Sequence, residues 1–287
     1  MYSPPALIVL LAACTTPDLD DDAGASVRAD PGAPSDTELD TGGGPDTDAD
    51  TDMDADTDTD GDPDTDTPAP CPAQMVEIDG RFCIDRAEAA LEEWDGDGWV
   101  TASPYETVGS RRVRAVVAWS AVPQGYISGD EAEAACLEAG KRLCTSDEWI
   151  RACEGSEGRT WPYGDTHIEG ACNDDYEGGH PLIDYFGTSE GIWDSAHMND
   201  PGINQQAGTV APGGAFAACE SEDGVFDLHG NLHEWVADGS GVFRGGFYAD
   251  ASINGDGCGY RTTAHSRSYH DYSTGFRCCQ DPLERGR

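Results

Sequence analysis

The chain has 287 residues, enough for one large domain or two small ones, and a formal net charge of −40. Such an acidic chain is excluded as a nucleic-acid binder, because phosphates would be repelled rather than neutralised. Eleven cysteines point to an oxidising compartment, and setting Cys14 apart leaves an even number for disulfides.

In chain order, the first feature is an apolar run, Ala6-Leu7-Ile8-Val9-Leu10-Leu11, too short to span a bilayer. It leads into Leu11-Ala12-Ala13-Cys14, which resembles a bacterial lipobox. Residues 1–14 therefore read as a lipoprotein signal with Cys14 as the lipidated residue. The Lys or Arg usual in a secretory n-region is missing from Met1-Tyr2-Ser3-Pro4-Pro5. Thr15 follows the lipidation site, so the Asp of the inner-membrane retention signal is absent and the outer membrane is the expected destination.

Residues 15–70 are Asp, Thr, Gly, Pro and Ala, with almost no basic or large apolar residue, and hold roughly half of the negative charge. They cannot bury enough surface to offset ordering entropy and are expected to form a disordered, extended tether. Within them, Asp56-Thr57-Asp58-Thr59-Asp60-Gly61 matches the first half of an EF-hand loop. Pro63 interrupts that loop and Thr67 stands where its bidentate Glu belongs, so a spacer is expected rather than a calcium site.

Composition shifts at Cys71 to a segment rich in Gly, Trp, Tyr and Cys. Residues 71–287 are expected to form one α+β domain with long ordered loops, stabilised by disulfides. Short strands are predicted at 75–78, 82–84, 113–117, 243–248 and 275–278. Ser128-Gly129-Asp130 looks like a helix cap, and Ala132, Ala135, Cys136 and Ala139 recur at helical spacing before Gly140. A second helix is predicted at 146–153, capped by Thr145 or Ser146, with Glu148 near its start and Trp149 and Ala152 facing inward.

Several strings together resemble the formylglycine-generating (sulfatase-modifying factor) family. They are Gly140-Lys141-Arg142-Leu143-Cys144-Thr145-Ser146-Asp147-Glu148-Trp149, Trp161-Pro162-Tyr163-Gly164, Asp227-Leu228-His229-Gly230-Asn231-Leu232-His233-Glu234-Trp235, Arg244-Gly245-Gly246-Phe247 and Gly275-Phe276-Arg277-Cys278. They stand in family order and span nearly all of residues 71–279. The resemblance implies a single domain with a C-type-lectin-like variant fold. It also implies an oxidase that converts a substrate cysteine to formylglycine with oxygen and a copper(I) ion held by two cysteines.

The copper pair is where this chain departs from the family. Counting from Gly245-Gly246, Asp250 replaces the first cysteine, Gly255 falls at the second, and Phe247 stands where the family has serine. A hard carboxylate and a residue with no side-chain donor cannot make a soft dithiolate site, so copper is not expected. What the resemblance retains is calcium in a structural role. It places Asp227 and Glu234 as side-chain ligands, with Gly230 and Leu232 contributing carbonyls. A second site would use Asn173 and the carbonyl of Asp174, with Asn204 where its acidic partner would fall.

His229 and His233, followed by Glu234, raise a zinc reading, but such a pair needs a third ligand and an open position, Gly230-Asn231 disfavours a helix between them, and the resemblance assigns these residues to a turn. His265 and His270 read as loop residues near the domain's groove. Family-like disulfides would join Cys136 to Cys278 and Cys153 to Cys258. Cys71, Cys83, Cys144, Cys172, Cys219 and Cys279 remain, with fifteen possible connectivities. The functional expectation is a lipid-anchored envelope module that binds a protein, peptide or glycan. The alternative is a divergent oxidase or another metal-dependent enzyme of the family.

Overall fold

The computed structural model describes residues 71–283. The lipidation site expected at Cys14 and the acidic segment 15–70 lie outside them. Among the described residues no helix is long and apolar enough to cross a membrane.

The described residues form a mixed α/β, sheet-rich unit with few helices. Strands β1 (Met75–Ile78) and β2 (Phe82–Asp85) make an antiparallel hairpin. Next come β3 (Ala89–Trp94) and β4 (Trp99–Thr101), a hairpin whose turn is capped by Asp95: one carboxylate oxygen accepts the Asp97 and Gly98 N–H groups. Strand β5 (Val113–Val117) pairs with the other edge of β3 to give a three-stranded sheet. The strand predicted at 113–117 is thus in place. The β3–β4 hairpin was not predicted, although an Asp-Gly turn between strand-like runs is its usual signature.

Helix α1 (Gly129–Glu138) begins at Ser128, and α2 (Ser146–Glu154) at Thr145; in each a Glu three residues on completes a reciprocal capping box. Each cap satisfies helix-end N–H groups that would otherwise lack partners, for about 1 kcal/mol. The buried face of α1 presents Ala132, Ala135 and Cys136, and that of α2 presents Trp149, Ala152 and Cys153. Between them lies the short β6 (Arg142–Leu143). Two further short helices follow, α3 (Pro181–Phe186) and α4 (Ser195–Met198).

The remaining strands are β7 (His233–Trp235), β8 (Phe243–Arg244), β9 (Arg261–Thr262), β10 (Thr274–Phe276) and β11 (Cys278–Gln280). They complete two four-stranded sheets, ordered β1-β2-β11-β6 and β10-β7-β8-β9. Two strand expectations are corrected. The run predicted at 243–248 is a strand only over β8, because Gly245 and Gly246 adopt positive φ and turn the chain. The run predicted at 275–278 belongs to two sheets: β10 pairs parallel with β7, β11 pairs antiparallel with β2 and β6, and Arg277 sits at the switch.

Five disulfides staple this loop-rich fold: Cys71–Cys83, Cys136–Cys278, Cys144–Cys279, Cys153–Cys258 and Cys172–Cys219. Adjacent residues of a strand point to opposite faces, so Cys278 and Cys279 enter different parts of the core. Cys278 packs with Ile127, Leu143, Trp235, Phe243 and Phe276, whereas Cys279 packs with Ile78, Ile84, Trp149 and Val236. A third cluster, around Tyr126, Tyr248 and Tyr272, underlies the loops that carry α3 and α4.

Candidate functional site

The turn between Asp227 and β7 is fixed by main-chain contacts. Asn231 donates its N–H to the Asn173 carbonyl, and Gly230 donates to the Gly245 carbonyl. Gly230 has φ +77, and a Cβ there would stand 2.1 Å from the Asn173 oxygen, so only glycine fits. Two segments far apart in sequence, 172–175 and 227–231, are thereby held side by side.

Below this turn lies a buried charge centre. Arg277 is fully buried and donates through Nε and Nη2 to the two oxygens of Glu234, each at 2.6 Å. Its remaining hydrogen bonds go to the carbonyls of Asp85, Phe226 and Asp227. Trp149 Nε1 also donates to Glu234, at 2.9 Å. Two further carboxylates are buried here, Glu88 and Asp227. Glu88 accepts from the Leu232 N–H at 2.9 Å and from the Asn231 amide, and Asp227 accepts from the Gly214 N–H at 2.7 Å. Burial, reinforced by Glu234 and Asp227, pushes the Glu88 carboxyl well above the usual carboxylate range. Burial likewise raises Asp227 to about 6.

Glu234, expected as a side-chain ligand, here faces Arg277. Both its oxygens face a guanidinium, so its charge is balanced within the protein. Asn173 donates through its amide nitrogen to the Thr209 carbonyl and to Asn231 Oδ1. Asn204 bonds the Tyr272 carbonyl and accepts from the Tyr248 hydroxyl, so its side chain belongs to the aromatic cluster.

Asp174 enters through its side chain rather than its carbonyl. One carboxylate oxygen, Oδ2, lies 2.7 Å from His167 Nε2 and 3.0 Å from His229 Nε2. Burial opposes ionisation of Asp174, but hydrogen bonds from His229 and His167 outweigh it and hold the group below its ordinary value. His233 is kept apart from this trio. It is buried between Ser273 and Tyr260, and burial pushes its imidazole down to about 3. The pairing of His229 with His233 is therefore not made, and His167, unmarked in the sequence, is the histidine that joins His229.

The trio lines a cleft of about 370 Å³, with Trp161, Asp175, Ser252 and Asp256 also on its walls. Segment 247–253 separates it from a second cleft of about 290 Å³ lined by Tyr176, His180, Phe247, Asp250, Ile253 and Tyr272. Asp250 caps its own turn, accepting from the Ser252 and Ile253 N–H groups and from the Tyr260 hydroxyl. Gly255 has φ +125, and a Cβ there would lie 2.9 Å from the Gly259 oxygen, so the position resists any side chain. Cys258, the nearest cysteine, is bridged to Cys153. His265 stacks on Tyr269 with ring centroids 3.7 Å apart, and His270 lines a shallower groove of about 220 Å³ with Trp193 and Met198.

The model of the sulfatase-modifying factor enzyme 1-like domain matches residues 41–282, most of the chain. The chain belongs to that family. A relative in Bos taurus, "Inactive C-alpha-formylglycine-generating enzyme 2", is 25% identical over 167 residues, covering 54% of this chain and 49% of the relative. The match thus spans about half of that protein's length. Among solved structures, PvdO from Pseudomonas aeruginosa is similar at 17% identity and a TM-score of 0.42, covering 70% of this chain and 80% of PvdO. The Major Tropism Determinant U1 variant is similar at 13% identity and a TM-score of 0.40, covering 76% of this chain and 55% of the other. Within this sulfatase-modifying-factor domain, the signature around Asp227–Trp235 contributes His229 to the first cleft and Asp227 and Glu234 to the buried charge centre.

Proposed function

We propose that this chain is a lipid-anchored envelope protein whose sulfatase-modifying-factor domain, a C-type-lectin-like variant, binds a protein, peptide or glycan and does not oxidise cysteine. The observation that carries the reading is the state of the thiols. All ten cysteines among the described residues are in disulfides, and the two positions of the family's copper ligands hold a turn-capping carboxylate and a glycine with no room for a side chain. Copper(I) needs soft donors, and these supply none. The bovine relative carries the word "inactive" in its name, which accords with this reading. The paired clefts beside segment 247–253, with aromatic walls and the exposed Ile253, suit an extended ligand.

Calcium in the Asp227 turn is a separate proposal. Asp227 is a buried carboxylate beyond the one that Arg277 pairs with, and a hard oxygen set suits calcium. Asp227 and the carbonyls of Gly230 and Leu232 would hold the ion, with Glu234 kept by Arg277.

The test has two arms. Purified oxidised protein is mixed with copper(I) and a Cys-x-Pro-x-Arg peptide, and the peptide is followed by mass spectrometry. No tight copper(I) binding and an unchanged peptide cysteine are expected; conversion to formylglycine overturns the reading. For the anchor, Cys14→Ala is expected to release the protein from the membrane fraction, and unchanged retention overturns it.

A further inference from the structure

We propose that His167, Asp174 and His229 form a binding site for a divalent first-row transition ion, open to the first cleft. It goes beyond the binding reading and stands on different residues. Among the described residues this trio is the one group of His, Cys, Asp or Glu whose ligand atoms converge, all within 4.8 Å of one another. Neighbouring ligand atoms around an ion with bonds of about 2.1 Å lie roughly 2.9–3.4 Å apart. Of the separations from Asp174 Oδ2, the 3.0 Å to His229 falls in that range and the 2.7 Å to His167 is slightly shorter.

Direct hydrogen bonding from both imidazoles to Asp174 Oδ2 would also give such distances, but it leaves a remainder. Asp174 Oδ1 and His229 Nδ1 are buried with no hydrogen-bond partner. The side chains that carry them are only 4% and 3% exposed. An unpartnered buried polar atom is costly and uncommon in a native fold. An ion held by both carboxylate oxygens would satisfy Oδ1, and with Nε2 as ligand the His229 ring would carry its proton on Nδ1.

The placement favours a preorganised site. Asp174 follows Asn173, and His229 precedes Gly230; the bridge between Asn173 and Gly230 sets the two side chains together. The Cys172–Cys219 disulfide anchors the same segment. His167, with 44% of its side chain exposed, borders solvent and provides the entry side. Two imidazoles and a carboxylate favour borderline ions such as zinc, iron(II) or cobalt(II) over calcium or copper(I). Asp175, Ser252 and Asp256 face the same cleft, where a further ligand to the ion could bind.

The test uses the full chain, stripped with chelator and titrated with zinc by calorimetry and with cobalt(II) by visible absorption. The acidic segment 15–70 is common to all variants and contributes the same weak background. A single tight equivalent of zinc is expected, with cobalt(II) bands typical of nitrogen and oxygen donors. His167→Ala and His229→Gln should each weaken zinc by about 100-fold, since three protein ligands are the usual minimum for tight zinc. His167 is half exposed, so its variant should keep the parental melting curve in the absence of metal. Zinc affinity unchanged in His167→Ala, or no visible cobalt(II) bands in the parent, overturns the site.

Discussion

Arg277 decides how the interior's charge is arranged. Its guanidinium is fully buried and is the cation against which Glu88, Asp227 and Glu234 are all placed. In the sequence this arginine reads only as the end of a Gly-Phe-Arg motif, and Glu234 reads as a calcium ligand. The link between them is made by parallel pairing that sets Gly275 opposite Glu234, a register that no local pattern announces. His167 escaped notice for the same reason: nothing in its spacing ties it to His229, and only the Asn173–Gly230 bridge brings its partner Asp174 there. The calcium proposal makes a prediction at this scale. Saturating calcium should raise the melting temperature over chelator, with a stabilisation of about 2.7 kcal/mol at a hundredfold excess over Kd. Asp227→Asn should abolish that response. A melting curve that ignores both calcium and chelator would overturn the ion, and Asp227→Asn would then be neutral or stabilising, because it removes a carboxyl that burial already disfavours.

Helix α2 shows how much an element can disclose about itself. Its start, its Glu148 and its inward Trp149 and Ala152 are legible from residue type and spacing alone, and the structure chooses Thr145 over Ser146 as the cap. The same holds for α1 with its Ser128 cap and alanine face. Strands were less legible: β6, β8 and β9 are two residues long, too short for a period to appear. The α2 cap carries a pH dependence. Burial opposes ionisation of Glu148, but hydrogen bonds from Arg142 and from the Thr145 N–H outweigh it and lower its pKa. A carboxyl lowered in the folded state contributes stability above its unfolded value, near 4.5, and loses it as pH falls through the folded value. Glu148→Gln keeps the cap's hydrogen-bonding shape but removes the charge. It should lower stability at pH 7 by about 0.5–1 kcal/mol, a modest figure because the pair is partly exposed. Its stability between pH 5 and pH 3, read by urea titration, should also decline less steeply than the parent's. An identical pH slope would show that the ion pair contributes nothing.

For the described residues the family motifs foreshadow a loop-rich mixture of helices and sheets, while most of the cross-links needed three dimensions. Six cysteines had no pairing that spacing could choose, and the alternation of Cys278 and Cys279 across β11 resolves two of the bonds at once. The bond between Cys153 and Cys258 closes a span of 105 residues, for which chain entropy suggests about 4.7 kcal/mol. Replacing both cysteines by serine should therefore lower the denaturant midpoint substantially under non-reducing conditions. An unchanged midpoint would mean that this bridge does not constrain the unfolded chain.

The placement of β10 and β11 also bears on the order of assembly during synthesis. Residues 274–280 supply a strand to each four-stranded sheet, the buried arginine and two of the bridging sulfurs. A ribosome that has made everything before Thr274 has therefore made two sheets lacking a strand, with Cys136 of α1 and Cys144 ahead of α2 still awaiting partners. Folding of this domain is expected to be completed only after that stretch is available, because it carries the native partners of Cys136 and Cys144. Long-range closure of this kind is slow, so a nascent chain arrested upstream of Thr274 should remain open to proteases and to mispaired disulfides.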